Sequence, residues 1–219
     1  MQIKIYQINT ERDNDRAKFQ GLFEAEKTKI NPEIYDRVFT GDVECKDLEE
    51  VFTLFNLDGH RLHRGHTLSV SDIVEVDKGD TPHYYFCDVA GFKEIPFDST
   101  RTHAAENLIR VLVVEPHRPP YESEIENTVK GQQRAVEGYI EYLSNDDGTI
   151  IVVNEEGKYN GMEANRHIDG DVLVGPFFIA GDGDEKLCSL NDDQLKKYAE
   201  RFAEPETIYN DTEFNIIHP

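Results

Sequence analysis

The residues of this chain best suited to chemistry stand in NEEGKYNGMEANR, residues 154–166. Asn154, Asn160 and Asn165 carry amides that donate and accept; Glu155, Glu156 and Glu163 carry carboxylates; Lys158 and Arg166 carry positive charge, all around Gly157 and Gly161. The stretch follows the apolar run TIIVV, so it reads as a loop at a strand end, where binding groups are often placed. Asn154, Asn160, Asn165 and Arg166 suit an amide or a phosphate, and two of the carboxylates together suit acid–base work or Mg²⁺. The same residues equally make a β-turn with capping asparagines. Neither the phosphate pattern GxxxxGK[ST] nor the dinucleotide pattern GxGxxG occurs in this loop, and no cofactor is expected.

A second candidate is DGHRLHRGH, residues 58–66, where His60, His63 and His66 alternate with Arg61 and Arg64. Gly59 and Gly65 mark a loop, no cysteine or carboxylate completes a spaced ligand set nearby, and two guanidiniums would repel a cation, so no metal is expected. Arg64 and His66 instead form a basic spot able to pair with a carboxylate or a phosphate. Ser69, Ser71 and Asp72 follow. Without an oriented base or a strained elbow they read as turn residues that satisfy backbone donors. GDGDE, 181–185, lacks the last glutamate of a calcium loop and reads as a turn. No catalytic residue is expected.

Charge separates the remaining classes. The 219 residues carry 44 Asp+Glu against 23 Lys+Arg, a net charge of −21. The excess is not a tail, since residues 1–98 hold 20 acids against 12 bases and residues 99–219 hold 24 against 11. Such a field repels bare nucleic acid, whose affinity comes from Lys and Arg, and favours a basic protein such as one that itself binds nucleic acid. Direct DNA binding is not expected. No apolar run reaches bilayer length, MQIKIYQINTERD does not resemble a signal peptide, and Cys45, Cys87 and Cys188 form no CxxC pair, so a cytoplasmic chain with small buried cysteines is expected.

The elements that must position these residues follow from periodicity. IKIYQIN alternates as a half-buried strand; Phe19, Leu22 and Phe23 stand at helical spacing; Asp47 opens a helix with Leu48, Val51, Phe52 and Phe55 on one face. LSVSDIVEV, HYYFCDV and FKEIPF read as short strands. After DSTRTHAAEN come the strand LIRVLVVE, a helix over TVKGQQRAVE that Asn127 can cap, a YIEYL–TIIVV hairpin through NDDG, a buried strand DVLVGPFFIAG, and a helix capped by Asn191 with Gln194 three residues on. The expectation is an α+β chain of two small mixed α/β domains with short, largely antiparallel sheets and few helices. They cover 1–97 and 108–205, with a linker at 98–107 and a tail at 206–219.

Several of these blocks resemble known families. IKIYQIN, DLEEVFTLFN, HRGHTLSVSDIVEV and YYFCDVAGFKEI together resemble the YodL-like domain over residues 1–97, with Ala90 departing from the VGFKEI pattern. IRVLVVEPHRPPYESEI, GYIEY, NEEGKYNGMEANRHIDGDVLVGPFFIAG and SLNDDQLKKYAERF resemble a bacterial domain-of-unknown-function family over residues 108–204. The resemblance implies an accessory protein of a plasmid, phage or conjugative element acting inside a bacterial host. It carries over no catalytic residue, and it makes HRGHTLS the approach to a strand, with Gly65 and Ser69 as turn residues. Three functions follow as expectations: a non-catalytic acidic protein that modulates a host system, with anti-restriction by charge mimicry as one form; a small-ligand or nucleotide module using the 154–166 loop; or a structural module of conjugation or replication machinery.

Overall fold

The structure is a computed structural model describing residues 1–79, 81–104 and 107–208. The chain is α+β and divides into two compact units, Met1–Leu108 with Glu122–Thr128, and Ile109–Tyr121 with the chain from Val129 onward.

The first unit is built on β1 (Gln2–Ile8), with α1 (Leu22–Thr28), β2 (Tyr35–Asp42), α2 (Leu48–Thr53), β3 (Ile73–Asp77), β4 (Pro82–Asp88), β5 (Gly91–Ile95) and β6 (His103–Ala104). The sheet order is β5-β4-β3-β1-β2-β6, so β1 is central and antiparallel to both β2 and β3. Cross-strand neighbours share a face. Ile5 therefore joins Phe39 and Val74, and Phe39 packs edge-on to Phe55 at 5.0 Å. Tyr6, Ile8, Ile73 and Phe86 cluster with Ala25 and Tyr35. Apolar groups thus come from consecutive positions of β1, and Tyr6 is buried beside Ile5. Asp47 caps α2 by accepting from the Glu50 amide at 2.9 Å, and Val51 and Phe55 are buried as their spacing predicts.

Three local readings need correction. Leu68–Asp72 precede β3 as a turn, and Ser71 has φ +80, so only the IVEVD end of LSVSDIVEV is strand. Phe19 lies outside α1 with φ +67, and Phe23 faces solvent. Within the stretch read as a linker, Ser99–Arg101 form a 3-10 turn and β6 pairs in parallel with β2; residues 105 and 106 lie outside the described residues.

The second unit contains β7 (Leu108–Val114), the start of β8 (Tyr121–Glu126), α3 (Val129–Val136), β9 (Ile140–Ser144), β10 (Thr149–Asn154), β11 (Ala164–Ile168), β12 (Asp171–Val174), β13 (Phe177–Gly181) and α4 (Asp192–Arg201). Four of its strands run in the order β7-β13-β10-β9, and β11 and β12 form a separate antiparallel pair. The run DVLVGPFFIAG is two strands rather than one. It breaks at Gly175 (φ +65) and Pro176, and its halves pair with different partners. The NDDG hairpin forms as expected, with Gly148 at φ +73. One face of the sheet, through Leu112, Ile151 and Ile179, buries Leu195, Tyr198 and Phe202 of α4 and its end. The capping box of α4 is complete: the Asn191 side chain accepts from the Gln194 amide at 2.9 Å, and the Gln194 side chain accepts from the Asn191 amide at 3.1 Å. Asn191→Ala is expected to lower unfolding stability by about 1 kcal/mol, measurable by urea titration. Residues 209–219 of the expected tail lie outside the described residues.

Candidate functional site

The 154–166 loop is positioned by β10 on one side and β11 on the other, and its polar groups divide sharply by burial. Asn154 is 6% exposed; its amide donates to the Val136 and Glu137 carbonyls at 3.1 Å each, and its Oδ1 accepts from the Glu156 amide at 2.9 Å. It therefore ties the end of α3 to the loop. Asn165 is fully buried and donates to the Val114 carbonyl at 3.1 Å and the Gly175 carbonyl at 2.7 Å. Arg166 is 1% exposed. It donates to the Asn165 carbonyl and Oδ1 and to the carbonyls of Arg118 and Phe202, at 2.7–3.2 Å. Burial pushes its pKa below the usual arginine value. Glu156 and Asn160 stay at the surface. Asn154, Asn165 and Arg166 thus turn their hydrogen bonds inward, chiefly to backbone of their own unit, and the buried Arg166 Nε is left without a hydrogen-bond partner.

The histidine loop lies in sequence between α2 and β3 and packs on Phe55 and on Phe39 of β2. His60 stacks on Phe55 and meets Phe39 edge-on at 4.7 Å, and His63 meets Phe55 edge-on at 5.0 Å. His66 meets Phe19 at 6.1 Å, so all three rings serve as aromatic packing surface. Burial, with help from His66 and Arg64, holds His63 neutral down to about pH 4. Arg64 donates to the carbonyls of Glu124 at 2.9 Å and Arg37 at 3.3 Å, so its charge serves backbone acceptors. Among the described residues no group of three or more His, Cys, Asp or Glu is arranged to hold a metal ion.

A polar cluster that the sequence does not announce lies beneath this loop. Gln7, on β1 and 3% exposed, donates to Asp72 Oδ2 and to the His66 carbonyl, both at 2.8 Å, and accepts from the His66 amide at 3.0 Å. Asp72 Oδ2 also accepts from the Ser69 amide at 2.8 Å, the turn role expected for it. Its Oδ1 is buried with no hydrogen-bond partner. A charged carboxylate half-satisfied in this way is costly, and burial pushes the Asp72 pKa up to about 7. His66 Nδ1 stands 3.8 Å from Asp72 Oδ2, and burial lowers the His66 pKa. Asp72 is 1% exposed, so its carboxyl is closed off from the surface. Gly65 is packed against the same cluster: a Cβ there would stand 1.8 Å from Gln7 Oε1. Gly65→Ala must displace a Gln7 side chain held by several hydrogen bonds, and is expected to cost about 2 kcal/mol by thermal or urea unfolding.

Elsewhere in the first unit, Glu75 on β3 is 5% exposed between Lys4 at 2.7 Å and the Tyr6 hydroxyl at 2.6 Å. Burial first, then Glu75, keeps the Tyr6 hydroxyl protonated far above its usual range. The basic side chains follow a common pattern of local pairing: Arg37 with Glu124, Arg101 with Glu33, Lys158 with Asp171, Lys197 with Asp147. Of the cysteines, Cys87 is buried, Cys45 half-buried and Cys188 exposed, against the expectation that all three are buried; all are free thiols. No helix among the described residues is long and apolar enough to cross a membrane.

Searches against curated proteins and against solved structures gave no significant match. Comparison with family models places the two halves: residues 2–97 match the YodL-like domain and residues 109–203 match a domain of unknown function, DUF3846, so the chain joins one of each.

Proposed function

We propose that this protein is a non-catalytic, acidic accessory protein of a mobile genetic element, which binds and modulates a basic host protein in the bacterial cytoplasm. The observation that carries the reading is the disposition of charge. Of the 23 basic side chains, many are held by neighbouring carboxylates or backbone carbonyls, as with Lys4, Arg37, Arg64 and Arg166, while 44 acids leave a net −21. A surface of that kind attracts a cationic groove at long range and repels nucleic acid itself. Further support comes from the inward use of the polar groups that looked most like a ligand grip. The resemblance of the YodL-like half to domains of plasmids, phages and conjugative elements supplies the biological setting, and charge mimicry of nucleic acid to blunt restriction is the specific form we favour.

Capture from host lysate tests the reading. The tagged protein is expected to retain a basic, nucleic-acid-binding protein at low salt, and to release it on adding excess duplex DNA or on raising the salt. Retention of no such protein, or retention indifferent to both salt and DNA, defeats it.

A further inference from the structure

Among the described residues, strand β9 ends the second unit's sheet, pairing with β10 on one side. Its register is unbroken from Ile140↔Asn154 to Ser144↔Ile150. Both ends are pinned: the Asn145 amide donates to the Thr149 carbonyl at 2.9 Å, and the Glu155 amide donates to the Tyr139 carbonyl at 2.9 Å. In an antiparallel ladder, inward and outward backbone groups alternate. With Asn145 and Tyr139 bonded inward, Leu143 and Glu141 also face β10, and Ile140, Tyr142 and Ser144 present their N–H and C=O groups to the open side. Edge strands are ordinarily blunted by lysine, proline, a bulge or brevity. In the first unit β5 carries Lys93 and β6 has two residues, whereas IEYLS has none of these devices.

The surroundings select the partner. Glu137, Glu141, Asp146, Glu155 and Glu156 are exposed on or beside this strand, and none takes part in an ion pair among the described residues. Tyr139 and Tyr142 are 62% and 46% exposed, aromatic groups of the kind that anchor interfaces. We propose that the free edge of β9 is the docking site for an extended, lysine- or arginine-rich segment of a partner protein, which adds to the sheet as a further strand. Backbone pairing supplies the affinity and the carboxylates supply the sign. A second copy of this chain would bring the same carboxylates face to face, and a nucleic acid would bring phosphates. The inference rests on the acidic-binding reading above and names the surface that serves it.

The test uses the full chain and a synthetic peptide of alternating lysine and valine, followed by amide NMR and calorimetry. On binding, the amides of Ile140, Tyr142 and Ser144 are expected to shift and gain protection from exchange. Glu141→Lys is expected to weaken the complex by about tenfold at low salt. Ser144→Pro removes one outward donor without touching the β10 ladder, and is expected to weaken it similarly. The circular dichroism of Ser144→Pro reports whether it folds, and Glu141→Lys keeps the test decisive if it does not. Salt-sensitive binding whose shifts fall elsewhere, or that both variants leave unchanged, overturns the β9 site while the acidic-binding reading stands. Protection of β9 through dimerisation without peptide overturns the choice of partner. Absence of any salt-sensitive peptide binding overturns both.

Discussion

Arg166→Ala is expected to cost about 4 kcal/mol of unfolding stability, the largest single loss among the polar residues. The guanidinium reaches four acceptors, contributed by Asn165, Arg118 and Phe202, from a position 1% exposed. Alanine leaves those acceptors buried without donors and opens a cavity the length of the side chain. Replacing a buried ion with an apolar residue is sometimes neutral when its charged partner goes with it. Here three of the four acceptors are backbone carbonyls, which no substitution removes, so Arg166→Met should recover packing but little else. Lysine cannot reproduce the planar fork and should fall close to methionine. Urea unfolding, followed by a probe in the second unit, reads the difference. A loss under about 1 kcal/mol would mean that the network is not intact in solution, and the ligand-gripping role of Arg166 would regain its place.

The second large effect is a hidden pH dependence. Asp72 has its pKa raised to about 7 in the folded chain, from an ordinary 3.8, so between these values the unfolded state is charged and the folded state still holds the proton. Its contribution therefore falls as pH rises through that window. His63 has its pKa lowered to about 4 from 6.5, so the unfolded state holds the extra proton and its contribution rises with pH between those values. The two slopes oppose one another across the overlap, roughly pH 4 to 6.5, and His66 adds to the side of His63. The wild type should show a shallow profile there, and each variant should uncover the other group. Asp72→Asn is expected to gain about 2–3 kcal/mol of stability between pH 4 and 6.5, and His63→Phe to lose a similar amount over the same range. Urea midpoints at half-unit pH steps measure both. Parallel profiles for the wild type and Asp72→Asn would show that Asp72 ionises normally in the fold.

These expectations rest on side chains whose burial only the folded chain reveals. Val51 on α2 and Phe55 on the helical turn that continues it could be placed on an inner face, and Leu195, Tyr198 and Phe202 on that of α4 and its end, because three- and four-residue spacing puts a stripe on a helix whatever it packs against. The caps Asp47 and Asn191 were legible for the same reason, since a capping side chain bonds an amide three residues away. The α+β class, the antiparallel hairpins and the two-part division belong with them.

What the sequence alone determined about this protein is therefore most of its local order and its charge: the capped helices, the hairpins, and a net −21 spread over both halves of the chain. The tertiary structure decided where polar groups point. Asn165 and Arg166 sit in the most chemical-looking stretch of the chain, yet their partners, Val114, Arg118 and Phe202, lie 51, 48 and 36 residues away. Gln7, which carries no motif, finds Asp72 65 residues on and becomes the hub of a buried cluster. A carbonyl or a glutamine so distant in sequence leaves no periodic trace, and burial is settled only when the sheet brings its strands together.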